Sequence, residues 1–235
     1  QYEKDLLALI KTMVERLVGH EVTVNPRMIA DCLRRAMKYV VEDSIVKVHL
    51  HSDDFQQIKE MSLEDPSLLQ GARRFELVED PAVSRGGCLL QTDFGEIDAT
   101  LDTCRERLFA LVDQAFMDAL SIDGKNDMDL SACMQLAAEH PLIAVQGRVN
   151  QVIGMVIESR GPGIPVGSIC EVDVFKGQGR IPAEVVGFRE GTLLLMPLGE
   201  MRGVEPGSAI RLVGGQARVR VAQSLLGRVI DGLGN

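Results

Sequence analysis

Hydrophobic and polar positions follow two different rhythms along these 235 residues. The first is helical. Leu6, Leu7, Ile10, Met13, Val14, Leu17 and Val18 recur at the spacing of one helix face, and Gly19 is expected to end the run. Asn25-Pro26 reads as the next start, because Asn accepts from orphan amides and Pro fits the first helical position. That helix carries Ile29, Leu33, Ala36, Met37 and Val40 on one face. The rhythm then changes to alternation between Ser44 and Ser52, with Val46, Val48 and Leu50 pointing one way and Lys47, His49 and His51 the other. This is the pattern of a half-buried strand.

Asp53 or Asp54 is expected to cap a short helix through Met61. Two strands follow, about Arg73–Val78 and Gly87–Thr92, and Asp93-Phe-Gly95 makes a turn. A long helix runs from about Asp98 to Leu120 on an apolar stripe that includes Leu101, Cys104, Leu108, Leu111 and Val112. Beyond residue 121 lies one short amphipathic helix, about Met128–Glu139, with Leu130, Cys133, Met134 and Ala137 at i, i+3, i+4 and i+7. Pro141 ends it. Seven short β segments follow: Ala144–Val149, Gly154–Glu158, Ile169–Phe175, Ile181–Gly187, Leu193–Pro197, Ala209–Val213 and Ala217–Val221. Short strands with regular turn signals predict a closed barrel, which leaves no exposed edge.

The expected fold class is therefore α+β. A mixed α/β domain with a three-stranded sheet and helices comes first, then a linker and a helix, then a six-stranded closed β-barrel. Composition supports the break. Residues 1–120 hold 5 of the 23 glycines, with 14 basic and 22 acidic residues, whereas the remainder holds 18 glycines and nearly balanced charge. Ser121-Ile-Asp-Gly-Lys-Asn-Asp127 is polar, contains Gly124 and reads as a linker. The domain boundaries expected are 1–120, 121–140 and 141–235.

Charge and candidate chemistry narrow the function. A net charge of −9, two tyrosines and no tryptophan leave little for phosphate or base contacts, which argues against an oligonucleotide-binding barrel. No apolar run approaches the ~20 residues that span a bilayer, and no signal peptide is evident. The start at Gln1 leads us to expect a removed upstream part. Five widely spaced cysteines, without a Cys-x-x-Cys pair, read as reduced and mostly buried thiols.

His49, His51, Asp53 and Asp54 are the candidate metal cluster, and a metal-dependent hydrolase is the rival function they would support. The set lacks further ligands nearby, so a solvated strand face and a helix cap are the favoured reading, with no metal. The glycine-rich stretch Ser159–Gly167 is expected to be a hairpin loop, since Pro162 and Pro165 lack the amides a phosphate cradle needs. No catalytic residue is singled out. From the residues alone, the Met128–Glu139 face either packs on its own barrel or docks on a partner protein.

Certain motifs carry a resemblance. Gly147-Arg-Val149, Gly154-Met-Val-Ile-Glu158, Val166-Gly-Ser-Ile-Cys170, Glu184-Val-Val-Gly-Phe188, Leu194-Leu-Met-Pro-Leu198 and Leu225-Leu-Gly-Arg-Val-Ile-Asp-Gly232 recur in the order of the N-terminal domain of flagellar and type III secretion export ATPases, the FliI family. Residues 141–235 thus resemble that domain. The resemblance implies a six-stranded barrel that takes part in a hexamer ring. It also implies that the Met128–Glu139 helix docks on the regulator, through Leu130, Cys133, Met134 and Ala137. The catalytic loop Gly-x-x-x-x-Gly-Lys-Ser/Thr is absent from the sequence, so no cofactor is expected in this chain, and ATP and Mg would bind in a missing domain.

Residues 1–120 resemble the C-terminal domain of that regulator, FliH, on Gly86-Gly-Cys-Leu-Leu-Gln-Thr-Asp-Phe-Gly-Glu-Ile-Asp-Ala99 and Val46-Lys-Val-His-Leu-His-Ser-Asp-Asp54. The family is related to the peripheral stalk of vacuolar-type ATPases. The resemblance implies a non-catalytic interaction module of the flagellar export apparatus, or of a virulence injectisome. It implies a dimer through the FliH-like part and a cytoplasmic location beside the membrane export gate.

Overall fold

The computed structural model describes residues 2–25, 27–41, 44–64, 74–121, 142–174, 179–214, 227 and 229. They fall in two compact units, Gln1–Val145 and Gln146–Asn235. The first contains α1 (Tyr2–Val24), α2 (Met28–Met37), β1 (Ile45–Leu50), α3 (Ser52–Glu64), β2 (Arg74–Glu79), β3 (Cys88–Thr92), β4 (Glu96–Ala99) and α4 (Leu101–Ser121).

Its sheet has the order β2-β1-β3-β4. β1 runs parallel to β2 through the α3 crossover and antiparallel to β3, which pairs antiparallel with β4. Val46, Val48 and Leu50 are fully buried, as the alternation predicts. They belong to a core that includes Ile29, Leu33 and Ala36 of α2, Ile58 of α3, Leu90 and Ile97. α2 packs on β3 and β4, and α3 on β2.

Four local expectations change here. Gly19 does not end the first helix, which continues to Val24. An exposed helical glycine costs only about 1 kcal/mol, and the extra turn brings Val22 against Gly86. The second helix starts at Met28, preceded by a turn in which the Asn25 side-chain oxygen accepts the Arg27 amide at 3.1 Å. Neither Asp53 nor Asp54 caps the third helix. His51 does: its ring Nδ1 accepts the Asp53 amide at 3.2 Å and its carbonyl accepts the Phe55 amide at 2.8 Å. Finally, the sheet gains a fourth strand, β4, where the last helix was expected to begin. Asp98, one residue before that strand ends, holds the helix start, accepting from the Thr100 amide at 2.9 Å and the Thr103 hydroxyl at 2.7 Å.

The second unit is built from β5 (Ala144–Ile153), β6 (Val156–Ser159), β7 (Ile169–Val174), β8 (Gly179–Arg189), β9 (Thr192–Pro197) and β10 (Ala209–Gly214). Their order is β5-β6-β9-β8-β7-β10, all antiparallel, and β10 pairs back with β5 to close a six-stranded barrel. Alternate residues fill it, among them Cys170, Val172, Ala183, Val185, Leu195 and Ile210, all fully buried. The expected segment Ala217–Val221 lies outside the described residues.

The Ser159–Gly167 stretch is not a hairpin loop. It joins β6 to β7, whose sheet partners are β5 and β9 for the one and β8 and β10 for the other. The physical reason lies in its own apolar residues. Ile164 is 1% exposed and Pro162 is buried, so the connection is part of the core rather than a solvated turn.

Candidate interaction surfaces

The site residues expected from sequence, Leu130, Cys133, Met134 and Ala137 on the helix Met128–Glu139, lie outside the described residues. The surfaces that can be built upward from described side chains are two, one on each unit.

On the first unit, α1 shows two different faces. One packs on α4. Lys11 Nζ reaches Asp113 Oδ1 at 2.6 Å and sits 5.2 Å from the centre of the Phe109 ring, and Arg105 lies 4.0 Å from Glu15. The other is apolar and uncovered: Leu9, Ile10, Met13, Leu17 and Val24 are each about half or more exposed, Leu17 reaching 67%. Charge is largely missing from this stripe, unlike an ordinary solvated helix face.

On the barrel, the β5–β6 hairpin turns at Gly154, whose φ of 60° suits glycine. Ile153 and Met155 flank it, 56% and 69% exposed. Val186 and Phe188 on β8 and Met196 on β9 are further exposed apolar side chains. The barrel thus presents large apolar groups outward although its interior is already filled.

The candidate metal residues are split among separate tasks. His49 Nδ1 is 3.2 Å from Asp80 Oδ2, and the other Asp80 oxygen accepts the Ala82 amide at 2.9 Å. His51 caps α3. Asp53 is exposed and lies 3.3 Å from Arg85. Asp54 is buried, with its carboxylate accepting the Gly86 amide at 2.6 Å. Among the described residues no three His, Cys, Asp or Glu side chains converge as a metal site would require.

The cysteines behave as small apolar groups. Cys32, Cys88 and Cys170 are buried, Cys104 is partly so, and all four are free thiols; Cys133 lies outside the described residues. Cys32 donates to the Ala99 carbonyl at 3.2 Å, with its sulfur 3.9 Å from that of Cys88. Burial pushes the Cys170 thiol up to about 12 and that of Cys104 up to about 11. Such thiols hold little thiolate near neutrality and make poor nucleophiles.

With this architecture in hand, comparison with known proteins gives two separate matches. Residues 1–108 match the family of the flagellar assembly protein FliH. Residues 149–214 match the β-barrel domain of the ATP synthase alpha/beta family. The flagellum-specific ATP synthase of Caulobacter vibrioides is 47% identical over 94 residues, covering 39% of this chain and 21% of that protein. Its counterpart in Bacillus subtilis is 44% identical over 89 residues, 37% of this chain and 20% of the relative. The type 3 secretion system ATPase of Pseudomonas savastanoi pv. phaseolicola is 40% identical over 96 residues, 41% and 21% respectively. The chain therefore spans about a fifth of the length of the curated relatives it matches.

Fold and matches together show a two-part chain: residues 1–108 resemble FliH, and residues 149–214 resemble the β-barrel domain that flagellum-specific ATP synthases and type 3 secretion system ATPases carry. Among the described residues no helix is long and apolar enough to cross a membrane.

Proposed function

We propose that this chain is a non-catalytic stator–ATPase interaction module of a flagellar export apparatus, in which a FliH-like domain binds the N-terminal helix of a FliI-like ATPase. The observation that carries this reading is the presence of both matches on one chain, at 1–108 and 149–214. Between them lies the amphipathic stretch Met128–Glu139. A barrel that closes on itself has no free edge to bury that helix, so its Leu130/Cys133/Met134/Ala137 face needs a groove elsewhere.

The arrangement makes physical sense as a tether. The linker Ser121–Asp127 reaches at most ~25 Å when fully extended. A short flexible linker holds helix and receptor at an effective concentration in the millimolar range, whether docking is within the chain or into a second copy. We assign the domains as 1–120, 121–140 and 141–235, with self-association through the FliH-like part. ATP and Mg belong to a catalytic domain of the parent ATPase. The module works in the cytoplasm, beside the membrane export gate. The flagellar system is favoured over the virulence injectisome because residues 1–108 match a flagellar assembly family, and two flagellum-specific relatives are 44% and 47% identical.

The test is the double variant Leu130→Asp with Met134→Asp. It is expected to uncouple the two halves, seen as separate thermal transitions and a changed assembly state. Unchanged unfolding together with an unchanged assembly state would overturn the proposal.

A further inference from the structure

Two buried thiols face each other in the first unit. Cys32 sits on the buried side of α2 and Cys88 opens β3, and their sulfurs are 3.9 Å apart. The Cys32 thiol donates to the Ala99 carbonyl at 3.2 Å. Ala99 is the β4 residue paired with Cys88, so both contacts of the Cys32 sulfur fall on one rung of the sheet. A thiol has a single hydrogen, and that of Cys32 is taken by Ala99. Cys32 is therefore the acceptor towards Cys88, and the hydrogen bonds run from Cys88 to Cys32 to the Ala99 carbonyl.

This order gives the two sulfurs unequal roles. A hydrogen bond to a sulfur favours its charged form. The bond from Cys88 accordingly lowers the Cys32 thiol, against its burial, and the charge of Arg35 on the same helix adds to the lowering. Cys88 moves the opposite way, held well above an ordinary thiol by the same hydrogen bond and then by burial. One sulfur is disposed to become a thiolate, and the other keeps its proton beside it. That is the arrangement of an attacking and a resolving cysteine.

We propose that Cys32 and Cys88 form a modification site, which a peroxide closes into a reversible disulfide that fastens α2 to β3. The Cys32 thiolate attacks one peroxide oxygen and the O–O bond breaks. Cys32 becomes a sulfenic acid, and the departing hydroxide takes up the proton that Cys32 released. The Cys88 sulfur then attacks the Cys32 sulfur. The S–S bond forms, the S–O bond breaks, and a second hydroxide leaves with the Cys88 proton. Two thiols are oxidised to one disulfide, and one peroxide is reduced to two waters. Bonding brings the sulfurs about 2 Å closer, through side-chain rotation and a small shift of α2. Cys32 is 4% exposed and Cys88 0%, so the oxidant is small and uncharged, as hydrogen peroxide is, and enters by local opening.

The test maps the thiols of the full chain after treatment with dilute hydrogen peroxide. The intact chain is expected to lose the mass of two hydrogens. Digestion without reductant should give one linked pair of peptides, carrying Cys32 and Cys88, and dithiothreitol should restore both thiols. Cys170 is the internal control. It is as deeply buried, its thiol is pushed up to about 12 by burial, and it is expected to stay reduced. Cys88→Ser should stop the reaction at a Cys32 sulfenic acid that dimedone captures, and Cys32→Ser should leave Cys88 unmodified. The disulfide closes a loop across 56 positions, so the oxidised chain is expected to unfold at a higher temperature than the reduced one.

Free Cys32 and Cys88 thiols after peroxide treatment overturn the site, and this measurement needs no variant. A Cys32–Cys104 linkage overturns the pairing. Cys104 on α4 is the rival partner, partly exposed and raised by burial and then by the charge of Cys32. An oxidised chain that unfolds no later than the reduced one overturns the fastening of α2 while the modification site stands.

Discussion

Gly147 on β5 lies directly against Gly161 and Pro162 of the connection between β6 and β7. A Cβ at Gly147 would meet the Pro162 Cδ at 2.7 Å and the Gly161 carbonyl oxygen closer still. The proline ring occupies the space an inward-facing side chain would take, which is how a buried connection and a barrel strand share one layer. We expect Gly147→Ala to destabilise the barrel by ~1–3 kcal/mol through overpacking, read as a lower midpoint in thermal or urea unfolding. Gly187→Ala is the control: nothing lies within 4 Å of its Cβ position, and the change should stay within ~0.5 kcal/mol.

The Asp54–Gly86 hydrogen bond ties the first turn of α3 to the loop before β3. Asp54 is 3% exposed, so Asp54→Ala would strand the Gly86 amide without a partner. The expected loss is ~1–3 kcal/mol. Asp54→Asn keeps an acceptor oxygen and should lose less. Equal losses in chemical unfolding would mean that the charge facing Arg85, rather than the amide bond, is what matters.

His51 is the cap of α3, so His51→Ala should cost ~0.5–2 kcal/mol, while His51→Asn, a strong capping residue, should recover most of it. The same variants address the rival metal reading. If His51→Asn retains full stability and purified protein carries no stoichiometric metal, the histidine is structural.

Cys170 gives a pH prediction. Its thiol is raised from an ordinary 9.0 to about 12 by burial, so the folded barrel holds that proton more tightly than the unfolded chain does. The stabilisation is therefore fully present below pH 9 and is lost progressively as pH rises toward 12. Thermal midpoints measured along that range should fall more steeply for the wild type than for Cys170→Ala. The difference between the two curves isolates this group from other residues that titrate there.

The elements with a strong internal rhythm are legible in the sequence alone. The strand Ile45–Leu50 follows from strict alternation at Val46, Val48 and Leu50, and the barrel strands from short apolar runs between glycines. What escapes is set by neighbours distant in sequence. β4 is only four residues long, and its Ile97 and Ala99 are buried because β3 lies alongside. The His51 cap depends on where β1 stops, and no local propensity marks histidine for that role. The apolar stripe of α1 is visible as a helical run, but not as an uncovered one, because only the position of α4 shows which face is already taken.

The sequence by itself determined the class of each half, the barrel, the two family resemblances and the absence of a nucleotide-binding loop within these residues. Periodicity and turn residues act locally, so they survive in one dimension. Tertiary structure alone decided that Ser159–Gly167 crosses between non-adjacent strands, that the four candidate metal residues serve four separate ends, and that α1 keeps an apolar stripe exposed. Each of these depends on which side chains meet across long stretches of chain, and burial is a property of that meeting rather than of any residue taken alone.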